Sequence, residues 1–212
     1  MSEFAANQAP EVTETAVPPK KESIISALFD YLEIMVFSVC AVLIVFTLFG
    51  RLCKVNGSSM RNTLFHNETL IITNLVSPEA GDMIVFHQTS DVDPKLNEPL
   101  VKRIIATEGQ TVRIDYVKGE VYVDGVLQSE PYIALLNKNG VAIGRWTQTP
   151  GHSFNHATGI FEATVPEGCY FVMGDNRNNS LDSRDAKYGE IAVNRILGRV
   201  IVRITPDFGF VD

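Results

Sequence analysis

The chain has 212 residues, of which 45% are hydrophobic and 20% charged: enough apolar material for a core, and too much for an intrinsically disordered chain. A formal net charge of −7 excludes a sequence-independent grip on nucleic-acid phosphates, so no nucleic-acid partner is expected. Three cysteines are too few for a disulfide scaffold and fit no zinc-cluster spacing.

Residues 1–23, rich in Ala, Pro and Glu, read as a disordered tail. The chain then carries no charge from Ile34 to Gly50, 17 residues, or about 26 Å of helix at roughly 1.5 Å per residue. The mostly apolar SIISALFDYLE before it extends the helix, with Asp30 and Glu33 one turn apart at headgroup level. A buried core helix would keep a polar stripe, whereas this run has only Ser38 and Thr47. A cleaved leader would start earlier and end at a small-x-small site, which LFGRLCKV lacks. Residues 24–52 therefore read as one uncleaved membrane anchor in the lipid bilayer. Lys20 and Lys21 on one side and Arg51 and Lys54 on the other tie the positive-inside count, so charge alone does not orient it.

From residue 53 to 212 the pattern is that of strands. LIITNLV at 70–76, MIVF at 83–86, VKRIIA at 101–106 and TVRIDYV at 111–117 are β-branched runs bounded by turn residues. GEVYVDGVLQ sets Asp124-Gly125 between two apolar runs, a strong hairpin signal. CYFVMG at 169–174 and ILGRVIVRI at 196–204 complete the set. No amphipathic helix longer than two turns follows residue 55, so a mainly β domain is expected. A polar loop at 87–99 and a less regular insertion at about 132–166, with the only tryptophan (Trp146), interrupt it.

Three polar clusters could carry chemistry. In VNGSSMRNTL, Ser58 and Ser59 follow a glycine and precede the apolar Met60. In PLVKRIIATEG, alternation puts Lys102 on the face of Leu100 and Ile104 and Arg103 on the other, so one of the two bases must point to the less hydrated side. A desolvated lysine loses its charge near neutral pH and becomes a base. The third, GDNRNNSLDSR at 174–184, packs Asp175, Asn176, Arg177, Ser180, Asp182, Ser183 and Arg184 into one turn after a strand. The histidine pair in HSFNH (His152 and His156) sits among Gly and Asn with no third ligand nearby, so no metal is expected.

GSSM, GDMIVF, VKRII and GDNRNNSLDSR, in that order after a membrane helix, resemble bacterial type I signal peptidases, in particular the single-anchor, Gram-positive-like branch. The similarity covers roughly 24–118 and 166–200. It implies a β-rich catalytic domain with an inserted sub-domain and a Ser–Lys dyad, without cofactor or metal. Carried onto this chain, Ser59 is the nucleophile, Lys102 the general base and Ser180 a hydrogen-bond partner of the lysine, while Asp182 and Arg184 hold the geometry. Gly57 stands where some members have a second, side-chain oxyanion donor, which leaves backbone N–H groups such as that of Ser59. The resemblance further implies secretory preproteins with small-x-small cleavage sites as substrates and a protein-export translocon nearby. It implies type II topology, with the tail cytoplasmic and the catalytic domain outside. The chain departs from the family pattern at Asn62, where proline is usual, and at TEGQ (107–110), where LPGD is usual.

Two other classes share part of the pattern. A self-cleaving Ser–Lys peptidase of the repressor type would carry a DNA-binding helix-turn-helix in place of the membrane span. A membrane-anchored β adaptor would have no use for Ser59, Lys102 and GDNRNNSLDSR together.

Overall fold

The computed structural model describes residues 24–87, 98–137, 139–147, 153–186 and 188–211; the tail 1–23, most of the polar loop at 87–99 and His152 lie outside the described residues. A mostly apolar stretch without glycine or proline forms one 26-residue helix, α1 (Ile24–Phe49). At roughly 1.5 Å per residue this is about 39 Å, more than a hydrocarbon core of about 30 Å requires. Its large apolar side chains between Ile24 and Ile44 stand exposed, as lipid-facing groups would. The Ser38 hydroxyl donates back to the Ile34 carbonyl at 2.7 Å, which satisfies it inside an apolar helix.

The strands are β1 (Arg51–Lys54), β2 (Thr69–Thr73), β3 (Met83–His87), β4 (Pro99–Ala106), β5 (Thr111–Asp115), β6 (Glu120–Val123), β7 (Val126–Leu127), β8 (Phe154–Asn155), β9 (Ile160–Thr164), β10 (Cys169–Met173), β11 (Ile191–Ala192), β12 (Ile196–Thr205) and β13 (Gly209–Phe210). Among the described residues no α-helix follows α1, so the domain is mainly β, as expected. The anchor expected to reach residue 52 stops at Phe49, because Arg51 and Leu52 pair with Ile72 and Ile71 of β2. The stretch at 132–166, expected to be less regular, contains β8 and β9.

Two antiparallel sheets result. The larger runs β1-β2-β12-β3-β4-β10-β11, with β13 also on β12. The smaller runs β7-β6-β5-β9-β8. Asp124 and Gly125 turn the β6–β7 hairpin with φ of 50° and 79°, the left-handed pair a two-residue type I′ loop requires.

Alternation then decides which side chains are buried. In the larger sheet Val85, Leu70, Ile72, Val101 and Val200 pack with Met60 and Leu64 on one face, while Ile84, Phe86, Ile104 and Val172 pack on the other. Val112, Ile114, Val121 and Phe161 of the smaller sheet share a core with Ile105, Phe171 and Met173 of β4 and β10. Strand β4 is thus covered on both faces, and that fixes the surroundings of its two bases.

Candidate active site

Met60 and Leu64 are buried in the core of the larger sheet and pin the turn that precedes β2. Ser59, one residue before the Met60 plug, is thereby held at the wall of an open cleft of about 580 Å³. Lys102 extends from β4 into the same cleft, which Gly57, Ser58, Leu100, Asn179, Ser180 and Tyr188 also line. The Lys102 Nζ lies 2.8 Å from Ser59 Oγ and donates to the Val101 carbonyl at 3.0 Å.

Lys102 is only 3% exposed. Burial lowers its pKa from the ordinary 10.5 to about 8; Asp182 and Asp175 pull the value up again, and Arg184 pushes it down. The desolvation cost of an ammonium outweighs the two carboxylates because neither is aimed at the amine: each is committed to an arginine. A substantial share of Lys102 is therefore the neutral amine just above neutral pH, the form able to accept a proton.

The 174–184 turn supplies those commitments. Asp182 takes Arg184 in a two-pronged pair, Nε and Nη2 each at 2.8 Å, and accepts the Gly174 N–H at 3.0 Å. Burial pushes the Asp182 carboxyl up, but Arg184 and the Gly174 N–H more than reverse it and leave it below the usual range. Ser180 lines the cleft, and its hydroxyl helps to hold the Asp182 carboxyl low. Gly174 has no room for a side chain: a Cβ there would sit 2.6 Å from the Ser59 carbonyl oxygen and would also strike Ser180 Oγ. That close approach lets Asn176 N–H reach the Ser59 carbonyl at 2.9 Å and Asn179 Nδ2 reach Ser58 Oγ at 2.8 Å. Ser59, Lys102, Ser180, Asp182 and Arg184, expected to act together, are all brought to this one place.

Thr63 and Glu130 were not singled out from the sequence, nor were the pairings of Arg103, Asp175 and Arg177. Alternation put one of the two β4 bases toward water, yet Arg103 is as buried as Lys102, because β4 is covered on both faces. Arg103 pairs with Asp175 through Nε and Nη2, both at 3.0 Å, and donates to the Gly81 carbonyl at 2.7 Å. Asp175 also accepts the Thr63 hydroxyl, four residues past Ser59. Arg177 forms a third buried pair, with Glu130, its Nη1 at 2.9 Å. The only signal for these in the sequence was the density of charge in GDNRNNSLDSR; the partners Arg103, Thr63 and Glu130 are too distant along the chain for any spacing rule to find.

The model of the family "Signal peptidase, peptidase S26" matches residues 28–205. A probable signal peptidase I-2 from Synechocystis sp. is 35% identical over 155 residues, which is 71% of this chain and 61% of that relative, so the match spans about three fifths of its length. A signal peptidase I from Leptolyngbya laminosa is 30% identical over 212 residues, 97% of this chain and 92% of the relative. A solved signal peptidase I from Enterococcus faecalis shows 33% identity over 59% of this chain and 98% of its own, with a TM-score of 0.41. With a family match over most of its length and a near full-length relative, the chain belongs to the signal peptidase family, peptidase S26, membrane-anchored serine endopeptidases that remove signal peptides from secreted preproteins.

Proposed function

We propose that this chain cuts signal peptides from secreted preproteins with Ser59 as nucleophile and Lys102 as general base. The observation that carries the reading is the 2.8 Å separation of Lys102 Nζ and Ser59 Oγ at a lysine buried well enough to lose its proton. Neutral Lys102 takes the Ser59 proton as Oγ attacks the scissile carbonyl, and the resulting ammonium protonates the departing amine. Water, deprotonated by the same amine, then releases the acyl group. The Ser59 backbone N–H is the donor for the tetrahedral oxyanion. Ser180, Asp182 and Arg184 orient the lysine without restoring its charge.

The substrate lies extended along β4. Among the described residues, β10 covers β4 only from Arg103 to Ala106, which leaves 99–102 with an open edge beside the cleft. A peptide strand added there meets shallow walls that admit small side chains, as small-x-small sites require. Ser59 follows Gly50 by nine residues, so it acts within about 30 Å of the end of the anchor even along an extended chain. Residues 1–23 then face the cytoplasm, the helix Ile24–Phe49 crosses the membrane, and the strands from Arg51 onward form the catalytic domain outside, next to the export translocon that delivers preproteins.

Cleavage of a model preprotein by the full chain in detergent or vesicles tests this. Ser59→Ala and Lys102→Ala each lose activity to background, and Ser58→Ala keeps most of it. Full loss in Ser58→Ala with activity kept in Ser59→Ala would overturn the nucleophile assignment.

A further inference from the structure

The 174–184 turn is also held by the segment at 130–147. Arg177 pairs with Glu130 and donates its backbone N–H to the Ala134 carbonyl at 3.0 Å, while the Ala134 N–H reaches the Asp175 carbonyl at 2.8 Å. Asn178 closes the far end of the segment: its Nδ2 donates to the Arg145 carbonyl at 2.8 Å, and its Oδ1 accepts the Thr147 N–H at 2.7 Å. Between those last two contacts sits Trp146.

The indole meets two buried arginines. The Arg177 guanidinium lies 5.4 Å and the Arg184 guanidinium 5.7 Å from the ring centroid. Tyr116 approaches edge-on at 5.1 Å and 87°. Gly119 makes room: a Cβ there would stand 3.1 Å from the indole Nε1, at a φ of 73° that disfavours any other residue. Trp146 packs against the core of the smaller sheet. It thus joins that sheet to the guanidinium that clasps Asp182.

We propose that Trp146 is a positioning residue for the reaction: its ring holds Arg177 and Arg184 as a pair and so keeps the Asp182 carboxylate clasped and dry beside Lys102. The proposal rests on the Ser59–Lys102 reading above. An indole within 6 Å of both guanidiniums attracts each of them through its electron-rich ring and keeps water from them. A side chain that only filled space would not need a π face.

The consequence for the lysine has a fixed sign. The charged groups acting on Lys102 are Asp182 and Asp175, which favour its ammonium, and Arg184, which opposes it. If Arg184 drifts from Asp182, or water enters around them, the ammonium is favoured and proton loss moves to higher pH.

The test compares Trp146→Phe with Trp146→Leu in the full chain, using a peptide with a small-x-small site and kcat, KM and the pH profile of kcat/KM as readouts. Leucine keeps apolar bulk without a π face; phenylalanine keeps the face. The expected result for Trp146→Leu is a kcat about tenfold lower, the size of losing one such contact at a half-buried ring, with KM little changed and the acid limb shifted to higher pH. Trp146→Phe is expected to keep most of kcat and leave the limb in place. Equal kcat and an equal acid limb in the two variants, whether both active or both inactive, overturn the proposal. Activity retained by Ser59→Ala would instead overturn the dyad on which it rests, a separate outcome.

Discussion

In the smaller sheet Val112, Ile114, Val121 and Phe161 are buried to within 1% of complete exclusion, and in the 174–184 turn Asp175, Arg177, Asp182, Ser183 and Arg184 are buried just as deeply. The sheet residues are there because removing each apolar side chain from water contributes about 1.5–3 kcal/mol. Any apolar residue of similar volume would serve at modest cost. The turn residues gain nothing from burial itself. Each buried charge is tolerated only because a specific partner meets it: Arg103 for Asp175, Glu130 for Arg177, Arg184 for Asp182. The sheet supplies stability that many sequences could supply. The turn supplies a fixed arrangement of charge around Lys102 that few others could.

Paired substitutions break this comparison most sharply. Arg184→Ala leaves Asp182 buried and unclasped, with an expected loss of about 3–5 kcal/mol of stability and loss of cleavage even in the folded fraction. Phe161→Ala opens a cavity and costs a similar amount, about 3–5 kcal/mol, but the molecules that remain folded should cleave nearly as wild type does. Denaturant midpoints read together with activity per folded molecule check both. If Phe161→Ala silences the folded fraction, the two regions do not divide their work this way.

A smaller effect concerns the lysine. Between its folded pKa of about 8 and its ordinary value of 10.5, the unfolded chain holds a proton that the folded chain has lost, so wild-type stability rises with pH across that window. Below pH 8 both states are charged and the full cost of burying the ammonium is felt. Lys102→Met removes that cost and should stabilise the inactive protein by about 3 kcal/mol at pH 7, an advantage that shrinks from pH 8 toward 10.5. Thermal midpoints of the two proteins at three pH values measure it; a constant difference would mean that the amine is not desolvated.

The smallest effect is expected at the rim of the smaller sheet, where Lys118 and Glu120 approach at 3.9 Å with the lysine 63% exposed. Lys118→Ala should change stability by less than about 0.5 kcal/mol, because such a pair is screened by water. A loss comparable to that of Arg184→Ala would erase the distinction between structural and solvated charges.

The two regions were also unequally legible in the sequence. The strands at β3, β4, β5 and β10 were visible because β-branched runs ended at turn residues, and Asp124-Gly125 announced its hairpin. Strand β1 was masked by the hydrophobic anchor that it follows. Strand β9, IFEAT, was hidden among Gly, Asn and His; what stabilises it is pairing with β5, residue Thr164 to Thr111 through Ile160 to Asp115, which no local pattern reveals. In the site, the motif order pointed to Ser59, Lys102, Ser180, Asp182 and Arg184, yet the burial of Arg103 escaped alternation because the rule assumes one wet face. Asp175 and Thr63 lie 112 residues apart, and a contact of that span exists only once the fold does.

The central claim is that cleavage waits on a lysine without its proton. The pH dependence of kcat/KM for a signal-peptide substrate on the full chain tests it most directly. The expected profile has an acid limb that rises with a midpoint near pH 8 and moves with no histidine substitution. A limb centred at the ordinary lysine value, or one that a histidine substitution abolishes, would contradict it.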